Sequence, residues 1–180
     1  NTGTCVQAAD MDNDGDNDIL YSSNYTGDGT GGIIALFKNN GNGTFPPYIP
    51  VYLRNNGGGG LDLSVADLNN DGKKDIAVAS MGVMGYNAVI NNGNDVYDPG
   101  VTHVCGESIV AIATADVDND HRTDIVTSDF YSLQVTVHRN FGNGVFPLPK
   151  YFETNSIVPG ALDAADIDGD GDLDVATSGS

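Results

Sequence analysis

Four gapless copies of one segment constrain this chain more than any other feature. They are Ala9–Ile19, Ala66–Ile76, Ala115–Ile125 and Ala165–Val175, and each runs from Ala-Asp to Asp-Ile or Asp-Val. Their first aspartates, Asp10, Asp67, Asp116 and Asp166, stand 57, 49 and 50 residues apart. A period of this length means that one supersecondary unit is repeated and buries its apolar faces against its neighbours. A second motif recurs between the copies, at Asn40–Phe45, Asn92–Tyr97 and Phe141–Phe146. There Asn and Gly supply the positive φ of a tight hairpin turn, and an aromatic residue re-enters a strand.

The rest of each unit reads as strand. Ile19–Ser22, Ile76–Ser80 and Ile125–Ser128 follow the Asp segments directly, and Ile33–Phe37, Ala88–Ile90 and Leu133–His138 precede the Gly turns. In the last of these, Leu133, Val135 and Val137 face one way and Gln134, Thr136 and His138 the other. A Pro-bounded fourth strand, such as Tyr48–Leu53, closes the unit. No stretch keeps a helical apolar period for long enough to make a helix. The pattern predicts an all-β chain, a β-propeller of four-stranded antiparallel blades, with three complete blades and half of a fourth. One domain holds units at approximately 1–53, 54–101, 102–152 and 153–180. The strand before each Asp segment is rich in small residues, among them Ala8, Ser64, Ala113 and Ala164, which suits innermost strands that crowd around a central channel. The first unit is longer, and its extra residues fit at Asn24–Gly32, a polar loop open to two readings: a binding insertion or a merely tolerated one.

The Asp segments carry the chemistry. Counting from Asp10, positions 1, 3, 5 and 9 are Asp10, Asp12, Asp14 and Asp18, Gly15 at position 6 permits a sharp turn, and Asp16 at position 7 offers its backbone carbonyl. Five or more oxygens around one point suit calcium, which takes 6–8 oxygen ligands in tolerant geometry. The second segment supplies Asp67, Asn69, Asp71 and Asp75 with the carbonyl of Lys73. The third supplies Asp116, Asp118, Asp120 and Asp124 with the carbonyl of Arg122, and the fourth Asp166, Asp168, Asp170 and Asp174 with that of Asp172. In the third, His121 replaces Gly at position 6, where a positive φ is costly, so about four Ca²⁺ sites are expected with the third weaker. An EF-hand needs Glu at position 12; Tyr21, Val78, Thr127 and Thr177 stand there instead.

Composition agrees. The formal net charge is −18, and 17 of the 25 acidic residues lie in the four segments. Unneutralised, that density opposes compaction; four Ca²⁺ would bring the charge to −10, so the ion doubles as a folding ligand. Nucleic acid and polybasic membrane contacts are excluded as expectations, since both need clustered Lys and Arg. No apolar run reaches the length of a membrane span. The chain opens in polar sequence at Asn1, which fits a removed leader or a start within a longer chain. Asn24 and Asn42 head sequons that an extracellular protein can glycosylate. Cys5 and Cys105 form a disulfide with each other or pair outside the segment. His103, His121 and His138 have no consistent partners, and no triad or nucleophile pattern occurs, so no catalysis is expected here.

The Asp-x-(Asp/Asn)-x-Asp-Gly-x-x-Asp-(Ile/Val) loops, followed by Asn-Gly-x-Gly-x-Phe turns, resemble FG-GAP/VCBS repeats over almost the whole chain. These are the repeats of the integrin α-subunit propeller and of many secreted proteins. The resemblance implies calcium sites between the first and second strands of each blade, held at the positions given above. Rings of about seven blades are usual in such proteins, so three and a half blades leave open sheet edges that favour association. It implies an extracellular or cell-surface protein whose partners are proteins or glycans at a cell surface or matrix. Three readings follow: a non-catalytic calcium-binding scaffold for adhesion or surface assembly, a lectin-like carbohydrate-binding propeller, or an accessory propeller of a secreted polysaccharide-active enzyme.

Overall fold

A computed structural model describes residues 4–23, 32–53, 60–80, 84–106, 108–155 and 157–179. The insertion read at Asn24–Gly32, apart from Gly32, and the sequon at Asn24 lie outside the described residues.

The described residues form strands and turns with no helix. The first sheet is β1 (Thr4–Ala9), β2 (Asp18–Ser23), β3 (Ile33–Phe37) and β4 (Ile49–Tyr52). The second is β5 (Gly60–Ala66), β6 (Asp75–Ser80), β7 (Gly85–Asn91) and β8 (Tyr97–Val104). The third is β9 (Ile109–Ala115), β10 (Asp124–Asp129), β11 (Gln134–His138) and β12 (Pro149–Glu153), and β13 (Pro159–Ala165) pairs with β14 (Asp174–Gly179). Every sheet is an antiparallel meander in chain order. The fold is therefore all-β, with three four-stranded propeller-like blades and a two-stranded half-blade.

The blades stack face to face, which explains why a central strand such as β6 is covered on both sides. All six residues of β6 are buried. Alternation along a strand sends successive side chains to opposite faces. Ile76 and Val78 join Leu20, Ile34, Leu36 and Val51 of the first blade. Ala77 and Ala79 join Ile109, Ile112, Ile125 and Phe146 of the third. The first strands of neighbouring blades also meet. Ser64 and Thr114 hydroxyls lie 2.7 Å apart, and Ile112 N–H donates to Asp62 at 2.9 Å. Small side chains there allow this approach.

Two sequence readings shift. β11 begins at Gln134, because Leu133 takes a φ of 55° in the preceding turn. On its polar face Thr136 and His138 are buried, His138 against Tyr86 of the second blade, while Val135 and Val137 line a cleft with Phe152 and Val175. The unit boundary read at 101–102 falls inside β8, which runs on to Val104 past a bulge. Gly100 makes that bulge at a φ of 82°, where a Cβ would lie 2.1 Å from the Ala88 carbonyl oxygen. Cys5 and Cys105 are both free thiols and pack in different inter-blade clusters.

Candidate metal centre

Each Asp loop joins the first two strands of its blade, and its shape is fixed by two left-handed residues. Position 6 has positive φ at Gly15 (96°), Gly72 (84°), His121 (65°) and Gly171 (95°). His121 thus bears the backbone strain expected of it. Position 4 is also left-handed, at Asn13 (62°), Asn70 (60°), Asn119 (58°) and Gly169 (80°). Asn and Gly, the residues that tolerate this conformation, are the sequence signal of that second turn.

The coiled backbone turns its N–H groups onto the carboxylates. Asp10, Asp67 and Asp116 each accept from positions 5 and 6, at 2.7–3.1 Å. Asp166 accepts from Gly169 and Gly171. Asp14, Asp71, Asp120 and Asp170 accept the N–H of Asp16, Lys73, Arg122 and Asp172 at position 7. Position 9 closes the loop: one oxygen of Asp18, Asp75, Asp124 and Asp174 accepts the N–H of Met11, Leu68, Val117 and Ile167 respectively. A carboxylate oxygen has two lone pairs, so each keeps capacity for a cation.

Carboxylate oxygens converge within 4.8 Å in three loops: Asp10, Asp12 and Asp14; Asp116, Asp118 and Asp124; and Asp166, Asp168 and Asp174. In the second loop Asn69 stands at position 3, and its amide oxygen accepts the Asp71 N–H at 3.0 Å. Of the proposed ligands, Asp18, Asp75 and Asp124 are fully buried, whereas Asp174 is exposed. Burial raises the pKa of all three buried groups; at Asp75 it reaches about 6, with Asp71 and Asp67 adding repulsion. A bound cation would favour the ionised form instead.

Basic side chains sit on this set. Lys38 pairs with Asp12 at 2.7 Å and with Asp95 of the second blade at 3.0 Å. Lys73 pairs with Asp71 at 2.5 Å, which lowers the Asp71 pKa. Arg122 pairs with Asp120 and Arg139 with Asp118. The fourth loop has no such partner among the described residues.

A further residue of the site is the asparagine at the end of each third strand. Asn39, Asn91 and Asn140 donate backbone N–H to the second oxygen of Asp18, Asp75 and Asp124 at 2.8–2.9 Å. Each side-chain oxygen accepts from a glycine of the following turn, Gly41, Gly93 or Gly142. Asn91 and Asn140 also donate into the preceding blade's loop, to the carbonyls of Met11 and Leu68. The signal was an Asn one residue before each Gly turn. Asn42 is exposed at such a turn, its side chain accepting from Thr44. With oxygen donors and neither thiolate nor imidazole turned in, the loops fit a hard cation such as calcium.

No curated protein matches the chain. Among solved structures it is similar to an Agrocybe aegerita lectin, described for specific recognition of non-reducing terminal N-acetylglucosamine, with a TM-score of 0.55 and 20% identity. The match covers 97% of this chain and 60% of the lectin chain, and at that identity it shows the fold alone. The FG-GAP-like repeat model matches residues 10–78 and 116–177. Each stretch begins at a position-1 aspartate and spans two Asp loops. The chain therefore belongs to the FG-GAP-like repeat family.

Proposed function

We propose that this chain is a calcium-binding, non-catalytic repeat scaffold of an extracellular protein, presenting its blades to proteins or glycans at a cell surface or matrix. The convergence of carboxylates from positions 1 and 3 in three loops, joined by position 5 in the first and position 9 in the third and fourth, carries this reading. The side chains at positions 1, 3, 5 and 9 and the carbonyls of Asp16, Lys73, Arg122 and Asp172 would hold the ion. When bound, calcium supplies positive charge that lets these carboxylates stay ionised side by side. The chain's own part is to orient them: backbone N–H groups aim each carboxylate, and position 9 ties the loop to the third strand. Exposed Asn42 suits glycosylation in that setting, and the open edges of the outer blades suit association.

Calcium titration by calorimetry, with melting curves in calcium and in chelator, tests this reading. About four sites are expected, with a marked loss of stability in chelator. Asp14→Ala should lower the melting temperature in calcium and change it little in chelator. Equal losses in both would remove Asp14 from the ligand set, and neither heat nor shift would overturn the calcium reading.

A lectin-like function is the second reading. The alignment of nearly the whole chain with an N-acetylglucosamine-recognising lectin favours it, as do the exposed rings of Tyr52 and Tyr131. Binding on an array that includes terminal N-acetylglucosamine would support it, and a blank array would remove it.

A further inference from the structure

Ionisable groups are also buried together away from the Asp loops, in the seam between the second and third blades. Tyr86 on β7 is fully buried, and its hydroxyl has no hydrogen-bond partner among the described residues. Its ring stacks on that of its cross-strand partner His103 on β8, with centroids 4.8 Å apart and planes 11° from parallel. From the third blade, His138 on β11 meets the same ring edge-on at 4.9 Å and 70°. Phe146 packs nearly perpendicular to Tyr86 and to His103, at 6.3 and 5.5 Å. One tyrosine ring thus carries a histidine from each blade.

We propose that His103 and His138, closing on the shared ring of Tyr86, form a latch that holds the second and third blades together at neutral pH and releases them in acid.

The surroundings of the two imidazoles favour their neutral forms. His138 faces Thr127 on β10, whose hydroxyl lies 3.4 Å from Nε2, together with Tyr86 and His103. Cys105 follows β8; its thiol, pushed up to about 12 by burial, contacts Thr127 and feels the charge of Asp129. The Asp129 oxygens accept N–H from Ser108, Tyr131 and Ser132. Among the described residues, no ion pair joins a carboxylate to His103 or His138. An imidazolium is drawn to a tyrosine face, but that attraction is smaller than the cost of desolvating a buried, unpaired cation. Burial accordingly lowers both pKa values, and His138, with His103 beside it, falls from 6.5 to about 4.

The sign follows. Above the ordinary histidine range both states are neutral and the latch holds. As pH falls from 6.5 towards 4, the opened seam binds protons that the closed seam refuses, so stability is lost with acid.

NMR titration of the histidine ring protons in the intact chain, at saturating calcium, reads this directly. Hydrogen exchange at the amides of β7, β8 and β11 over the same pH range reads the seam. The His138 signal should titrate at least about one unit below the ordinary value, and seam opening should rise about tenfold per pH unit for each linked proton. The amides of β1–β4 should not follow. His138→Gln, neutral at every pH, should flatten the slope by that one proton. A His138 titrating at its ordinary value overturns the latch, and so does an unchanged acid slope in His138→Gln. Should that variant misfold, the titration of the natural chain still decides.

Discussion

Asn91 holds its blade to the previous one with a single side chain. It is 2% exposed. Its amide donates to the carbonyls of Met11 at 2.9 Å and Lys74 at 3.1 Å, while its oxygen accepts from Gly93 and its backbone N–H donates to Asp75. Truncating it strands the Met11 carbonyl in a buried seam. An unsatisfied buried polar group costs about 1–3 kcal/mol, so Asn91→Ala should lose roughly 2–4 kcal/mol in urea unfolding. Neighbouring Asn92 is exposed, and Asn92→Ala should fall within about 0.5 kcal/mol of the natural chain. A loss no larger than that for Asn91→Ala would remove the tie. The aspartates proposed as ligands stand out one by one in the sequence, because they recur at fixed spacing within nine residues. Asn91 does not, because Met11 lies 80 residues away in sequence.

At the scale of the element, β6 shows how a strand is shaped by two neighbours at once. Its Ile76 and Val78 fill the first seam, and its Ala77 and Ala79 leave room in the second for Tyr86 and Phe146. Large-to-small pairing of this kind leaves no space for added volume. Ala79→Leu should cost about 1–3 kcal/mol through overpacking, whereas Val101→Leu, at a position 65% exposed on β8, should be near neutral. Melting curves of both in calcium check the contrast, and equal effects would contradict the packing. The strands, their order and the hairpin turns were readable from the repeat. The burial of Thr136 and His138 was not, since alternation separates two faces without saying what covers each.

Across the whole molecule, stability should fall towards the half-blade. β13 and β14 are mostly exposed and lack third and fourth strands among the described residues. A two-stranded sheet is marginal by itself. Hydrogen exchange should therefore be at least about tenfold faster in β13 and β14 than in β6; equal protection would mean that the half-blade is held as firmly as a full one. The Asp loop between them adds five carboxylates with no basic partner among the described residues, so calcium should slow exchange there most. By itself the sequence determined the repeat, the all-β class, the left-handed turn positions and the carboxylate spacing, because each is local backbone geometry written within a few residues. Only the tertiary structure decided which strand faces meet, where Lys38 finds Asp95, how Asn91 and Asn140 bind blade to blade, and that two histidines share Tyr86. Those contacts join residues tens of positions apart, and it is the stacking of one blade on the next that brings them together.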